Sequence, residues 1–172
     1  RPGPVLQRKG RIGYMGIAST QKAPGKLYIA GEYAVLEKGS PAIAVAVNRF
    51  VYAKITPAKT NGTIRSNQYR SSIVHWTRID GQMVVDYRDD PFQYILQAIK
   101  ITEQYLVEKG VELGIYDLDV NSELSSFDGE KYGLGSSAAV TVATVKALLA
   151  FYGIPLDREI VFKLAAIAHM SV

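Results

Sequence analysis

The 172 residues contain no cysteine, which excludes a disulfide framework and any thiolate nucleophile or ligand and fits a reducing, cytoplasmic setting. Histidine is nearly absent too. His75 and His169 stand too far apart in sequence and too isolated to suggest a metal site. No apolar stretch approaches the roughly 20 residues of a membrane-spanning helix, and the N-terminus lacks the apolar core of a signal peptide. No membrane partner is therefore expected. Acidic residues are missing from the first 14 positions, where Arg1, Arg8, Lys9 and Arg11 lie. Those residues account for the whole net charge of +4, and the rest of the chain is balanced. A balanced body lacks the clustered Lys and Arg needed to track a phosphate backbone, so nucleic acid is not an expected partner. Arg1 to Gln21 also lacks an initiator Met and any periodicity. It reads as an irregular extension or tag outside a folded body that begins at Lys22.

What is present suits one globular core: 48% of residues are apolar and 21% charged, far from the polar balance of a disordered chain. The first half is strand-rich. Leu27–Ala30, Ala42–Val47, Phe50–Thr56, Thr63–Ser66, Ser72–Ile79 and Met83–Tyr87 are β-branched or aromatic runs. Asn48-Arg49, Asn61-Gly62 and Asp80-Gly81 supply bends between them. A helix is expected from Asp90 as N-cap, with Pro91 in the first turn, through Phe92, Ile95, Leu96, Ile99, Tyr105 and Leu106 to a stop at Gly110. Ile115–Val120 alternates as a strand, and a polar loop spans Asn121–Tyr132. An apolar helix then runs to Tyr152 and is ended by Gly153. Asp157 caps a last helix through Phe162, Leu164 and Ile167, which has no terminator before Val172. The C-terminus therefore reads as a truncation. Strands first and helices later make this an α+β domain. Trp76 and the tyrosines need no role beyond packing.

The strongest chemical signal is Gly133-Leu134-Gly135-Ser136-Ser137-Ala138-Ala139. Glycines let backbone approach a ligand with no Cβ in the way. Serines at a helix start add hydroxyls to unpaired N–H groups and a dipole that favours an anion. Such a segment can cradle phosphate; equally, Gly-Ser-Ser can be a turn and a helix cap. A P-loop would need Lys then Ser or Thr after its last glycine, where Ala138 and Ala139 stand. Gly133, Gly135 and Ala138 match the dinucleotide fingerprint in spacing, but the polar loop before them and the absence of a following acidic strand end exclude it.

The second signal is Ala23-Pro24-Gly25-Lys26-Leu27-Tyr28-Ile29-Ala30-Gly31-Glu32-Tyr33-Ala34-Val35. Alone, Lys26 would pass for a solvated strand lysine. Together, in this order and about 100 residues apart, the two segments resemble the first and second motifs of the GHMP kinase superfamily. They are most similar to its phosphomevalonate kinase branch, since mevalonate kinases more often carry His at the position of Tyr33. The run Asp128-Gly129-Glu130-Lys131-Tyr132-Gly133 points the same way, although the general motif has Pro at the position of Gly129. The resemblance covers about Lys22 to the C-terminal end.

The resemblance implies a GHMP-kinase N-terminal domain, of the ribosomal protein S5 domain 2-like fold, with left-handed βαβ features. The implied reaction is transfer of the γ-phosphoryl of ATP, with Mg2+, to 5-phosphomevalonate. It further implies Lys26 as the catalytic cation and residues Gly133 to Ala138 as the phosphate loop. Ser136 or Ser137, with Ser137 preferred, would ligate Mg2+. Glu32 and Tyr33 fall on the acceptor side; a packed Tyr and an ion-paired Glu are the alternative. Ser66 and Asn67 fall near adenine by position, where a plain strand end is the alternative. The C-terminal domain of the same chain is the expected partner, and without it this chain is expected to be inactive and to expose apolar surface on its cleft side. Mevalonate kinase, another GHMP small-molecule kinase and a non-catalytic nucleotide-binding module are the rival readings.

Overall fold

The structure is a computed structural model that describes residues 5–8, 11–14, 16–69, 72–86, 92–124 and 133–172. A short antiparallel hairpin, β1 (Val5–Arg8) and β2 (Arg11–Tyr14), precedes the main body. The body is one mixed sheet built from β3 (Ser19–Ala30), β4 (Ile43–Ala58), β5 (Gly62–Ser66), β6 (Ile73–Ile79), β7 (Gln82–Asp86) and β8 (Ile115–Ser122). Its order is β3-β4-β8-β5-β6-β7, antiparallel throughout except for the parallel pair β5 and β8. Three helices, α1 (Gln93–Glu108), α2 (Ser136–Phe151) and α3 (Arg158–Met170), pack together, and α2 lies against β3 and β4. The α+β architecture agrees with the sequence.

The core forms where the alternating strand residues Val51, Ala53, Ile55, Ile64, Leu118 and Val120 meet α2, whose Ala143, Ala147, Leu148 and Leu149 are fully buried. Small residues on α2 allow it to sit close to the sheet. A hairpin turn with both central residues at positive φ, Asp80 (51°) and Gly81 (78°), joins β6 to β7, as the right-handed strand twist favours. Gly62 opens β5, and a Cβ there would lie 2.3 Å from the Trp76 indole nitrogen, so the glycine makes room for the buried Trp.

The structure corrects the sequence reading in two places. The segment before Lys22 is not irregular throughout. Gly16 is buried against Phe151, Ile17 N–H donates to the Phe151 carbonyl at 3.0 Å, and Ser19–Gln21 pair with Ala53–Ile55. An edge strand gains its place through backbone pairing with a buried neighbour, so its polar side chains gave no periodic signal. The bend expected at Asn48-Arg49 lies within one continuous strand, β4, as a register break: Pro24 pairs with Phe50 but Lys26 with Ala46. Glu123 stitches this break from β8's end, accepting from Phe50 N–H at 2.9 Å while its own N–H donates to the Phe50 carbonyl. The expected N-cap Asp90, with Pro91, and most of the polar loop, 125–132, lie outside the described residues.

Beyond the break, the outer halves of β3 and β4 run on past β8, which pairs only with Val51–Ala58. This arm is apolar and uncovered: Leu27, Ile29, Ile43 and Val45 are all exposed, as are Val35 and Leu36 in the connecting turn.

Candidate phosphate-binding site

The glycine-serine segment turns sharply into α2. Gly133 (φ 70°) and Gly135 (φ 69°) both adopt the left-handed conformation, which costs a residue with a Cβ about 1–2 kcal/mol. Gly135 is the N-cap, so Ser136 and Ser137 are the first two helical residues, as the sequence predicts. Among the described residues no side chain caps this end, whereas Asp157 accepts from the N–H groups of Glu159 and Ile160 at the start of α3. Among the described residues the first-turn N–H groups of α2 have no side-chain acceptor, and they stand at the positive end of the helix dipole, where an anion is favoured.

Lys26 is brought directly to this loop. Its N–H donates to the Leu134 carbonyl at 2.8 Å. Its aliphatic stem lies over Gly135, where a Cβ would stand 2.8 Å from Lys26 Cγ. The ammonium sits 4.0 Å from the Tyr28 ring centroid, a cation–π contact that steadies the charge without neutralising it. Gly25 makes this approach possible, because a Cβ there would lie 2.8 Å from the Leu134 carbonyl oxygen and 2.7 Å from Leu124 Cδ2. Sequence reasoning did not single out Gly25; a glycine immediately before a strand lysine was the available signal.

Ser137 carries a second contact that the sequence did not reveal. Its Oγ lies 3.2 Å from Nε2 of His169, in the last turn of α3. The imidazole in turn faces the Tyr94 ring of α1, with centroids 5.1 Å apart and planes at 31°. Ser137 also accepts, through its carbonyl, from the Thr141 hydroxyl at 2.8 Å.

The remaining candidates lie apart from the loop. Glu32 and Tyr33 occupy the exposed turn after β3, with Tyr33 82% exposed. Ser66 and Asn67 sit at the end of β5. Asn67 donates to Asn121 Oδ1 and the Ser122 carbonyl and accepts from Ser122 N–H at 2.8 Å. Ser66 Oγ accepts from Gln68 N–H. These bonds fasten the end of β5 to the end of β8.

The donor set fits a nucleotide that brings its own cation. Among the described residues no cluster of three His, Cys, Asp or Glu side chains could hold a metal ion. Mg2+ usually keeps several waters and takes only one or two protein oxygens beside substrate phosphates. The Ser136 and Ser137 hydroxyls, at an uncapped helix start beside an ammonium, are oxygens of that kind.

Residues 93–172 match the family model described as GHMP kinases N terminal domain. The chain carries a GHMP kinase N-terminal domain. It is 40% identical over 156 residues to a phosphomevalonate kinase from Streptomyces sp. (strain CL190), a match covering 85% of this chain and 41% of that protein. A mevalonate kinase from Archaeoglobus fulgidus is 31% identical over 150 residues, covering 87% of this chain and 44% of the relative. Among solved structures, Streptococcus pneumoniae phosphomevalonate kinase in complex with phosphomevalonate and AMPPNP superposes with a TM-score of 0.70 at 31% identity. That match covers 88% of this chain and 42% of the other. The chain thus spans about two fifths of the length of these relatives. Among its described residues, no helix is long and apolar enough to cross a membrane.

Away from the loop, a buried polar network ties the GHMP domain's helices to its sheet. Arg78 on β6 forms a bidentate pair with Glu103 on α1, at 2.7 and 3.0 Å, with both side chains under 10% exposed. The Tyr116 hydroxyl donates to Glu103 Oε1 at 2.9 Å, and Tyr152 accepts from Gly114 N–H at 3.1 Å. Burial works against the Arg78 charge, but its bond to Glu103 prevails and raises its pKa. Burial, reinforced by the Glu103 charge, pushes the Tyr116 and Tyr152 phenols well above the ordinary tyrosine range.

Proposed function

We propose that the natural protein carrying this chain transfers the γ-phosphoryl group of Mg·ATP to 5-phosphomevalonate, yielding ADP and 5-diphosphomevalonate. The observation that carries the reading is the junction of Lys26 with the loop: a 2.8 Å hydrogen bond from its N–H to the Leu134 carbonyl, and its stem over Gly135. It is supported by the 40% identity to a phosphomevalonate kinase. A relative whose solved complex holds phosphomevalonate and AMPPNP lends further support.

In this reading a phosphate oxygen of the acceptor attacks the γ-phosphorus, a new P–O bond forms, and the bond to the ADP oxygen breaks. A phosphate monoester has a second pKa of about 6, so the acceptor is largely dianionic at neutral pH and needs little help losing a proton. The larger obstacle is bringing two anions together in line. Lys26 supplies positive charge between them. The N–H groups at the start of α2, framed by Gly133 to Ala138, hold the donor phosphates in a fixed orientation. Ser137, with Ser136 beside it, would hold Mg2+, which would supply positive charge against the negative charge that develops on the transferring group. Glu32 and Tyr33 fall on the acceptor side of Lys26. Ser66 and Asn67 are the positional candidates for adenine, although Asn67's bonds to β8 account for its amide without a ligand. The uncovered apolar arm of β3 and β4 is the surface we assign to the remaining domain of the natural chain.

The 31% identity to a mevalonate kinase favours one second reading, in which the acceptor is the alcohol mevalonate. The two separate in one assay on the intact natural chain: ADP release from Mg·ATP with 5-phosphomevalonate or with mevalonate. Turnover with the phosphorylated acceptor alone is expected. Turnover with mevalonate alone would move the acceptor, and silence with both would leave a nucleotide-binding module without this chemistry.

A further inference from the structure

Ser137 is one of two adjacent serines at the start of α2, and the structure distinguishes them by what stands behind each hydroxyl. Behind Ser137 is an imidazole nitrogen at 3.2 Å, delivered by α3 and faced by Tyr94 from α1. Three helices therefore converge on one hydroxyl. Among the described residues, the contact of His169 with the loop is this one, through the Ser137 hydroxyl.

A serine hydroxyl has one hydrogen and two lone pairs, and a neutral imidazole has one nitrogen that donates and one that accepts. Phosphate oxygens need donors, which the first-turn N–H groups of α2 already provide. A hard cation needs oxygen lone pairs and is repelled by a hydroxyl hydrogen aimed at it. On these grounds we infer that His169 is a positioning residue. Its Nε2 accepts the Ser137 hydroxyl hydrogen and turns the oxygen's lone pairs toward the cation that accompanies the nucleotide. Ser136, which has no such partner among the described residues, keeps its hydrogen for a phosphate oxygen. The Tyr94 ring holds the imidazole plane, so Ser137 enters the site with its hydrogen already committed. The inference rests on the nucleotide-binding reading above and goes beyond it by separating the two serines and assigning His169.

The test measures binding, not turnover. On the intact natural chain, the Kd for AMPPNP is determined with Mg2+ and with EDTA, and the ratio gives the metal-linked tightening. His169→Phe keeps a ring against Tyr94 but offers no acceptor. It is expected to reduce that ratio by about 10- to 100-fold, the usual penalty for losing a partner behind a metal ligand, and to leave the EDTA value within about twofold. His169→Gln, which can present an acceptor oxygen, should restore most of the ratio. Ser137→Ala should lose as much as His169→Phe, and the double variant no more than either, because both act on one contact. An unchanged ratio in His169→Phe, or equal weakening with and without metal, overturns the assignment. If His169→Phe fails to fold by circular dichroism, Ser137→Ala and His169→Gln decide: retention of the metal-linked tightening in Ser137→Ala overturns it, and its loss there with most of the ratio kept in His169→Gln upholds it. A wild-type chain that binds AMPPNP under neither condition would refute the proposed function and this inference together. Binding with an unresponsive His169 would refute this inference alone.

Discussion

Gly133 and Gly135 permit a controlled experiment on the position of Lys26. The two glycines share the same backbone strain, with φ of 70° and 69°, so an alanine at either should destabilise the fold by about 1–2 kcal/mol. They differ in what the new methyl meets. At Gly133 no described residue lies within 4 Å of an added Cβ. At Gly135 the Cβ would stand 2.8, 3.4 and 3.6 Å from Lys26 Cγ, Cε and Cδ. A side-chain stem can swing aside, so the additional stability loss should stay below about 1 kcal/mol, comparable to one off-rotamer side chain. The ammonium moves with the stem, and a displacement of about 1 Å at a reacting centre costs roughly 100-fold in rate. Urea unfolding of both variants should therefore give similar losses. ADP release from Mg·ATP and 5-phosphomevalonate should fall about 100-fold further in Gly135→Ala than in Gly133→Ala. Equal turnover in the two variants would refute a role for Lys26's position, and an undiminished stability in Gly133→Ala would refute the backbone argument.

Lys26→Met, which keeps the stem and removes the charge, should lower kcat by a factor of 100 or more with little change in melting temperature; steady-state kinetics and a thermal melt decide it. Glu103→Gln leaves the buried Arg78 charge without its counter-ion and should cost about 3–5 kcal/mol in chemical unfolding; a loss under 1 kcal/mol would show that water reaches the pair. Because Tyr116 and Tyr152 are held above their unfolded pKa of about 10, the unfolded chain releases protons first as pH rises. The stability tied to the neutral phenols is full below about pH 10 and declines above it. Urea midpoints measured from pH 8 to 11 should show that decline, and Tyr152→Phe should flatten it.

The backbone form of the loop was legible because it depends on residue types in local order: left-handed glycines followed by serines at a helix start. The pairing of Lys26 with that loop was not legible from spacing alone. It came into view through resemblance, and the structure supplies its physical form, a hydrogen bond across more than 100 residues of sequence. Long-range stitches were invisible for the same reason. Asn48-Arg49 looks like a turn locally, but β3 pairs with β4 on both sides of it and Glu123, at the end of a distant strand, holds Phe50. His169 looks isolated in sequence, and only the packing of α3 on α1 and α2 brings it to Ser137. Ser19–Gln21 gave no alternating pattern because an edge strand is specified by its neighbour's backbone.

β3 is the last strand on its side of the sheet, and an open edge is a template for pairing with another chain. The Lys26 N–H, turned away from β4, is occupied by the Leu134 carbonyl. The segment assigned to grip a nucleotide therefore also plugs the sheet's border. Substitutions that loosen it would therefore bare a sheet edge to other chains as well as disturb the loop.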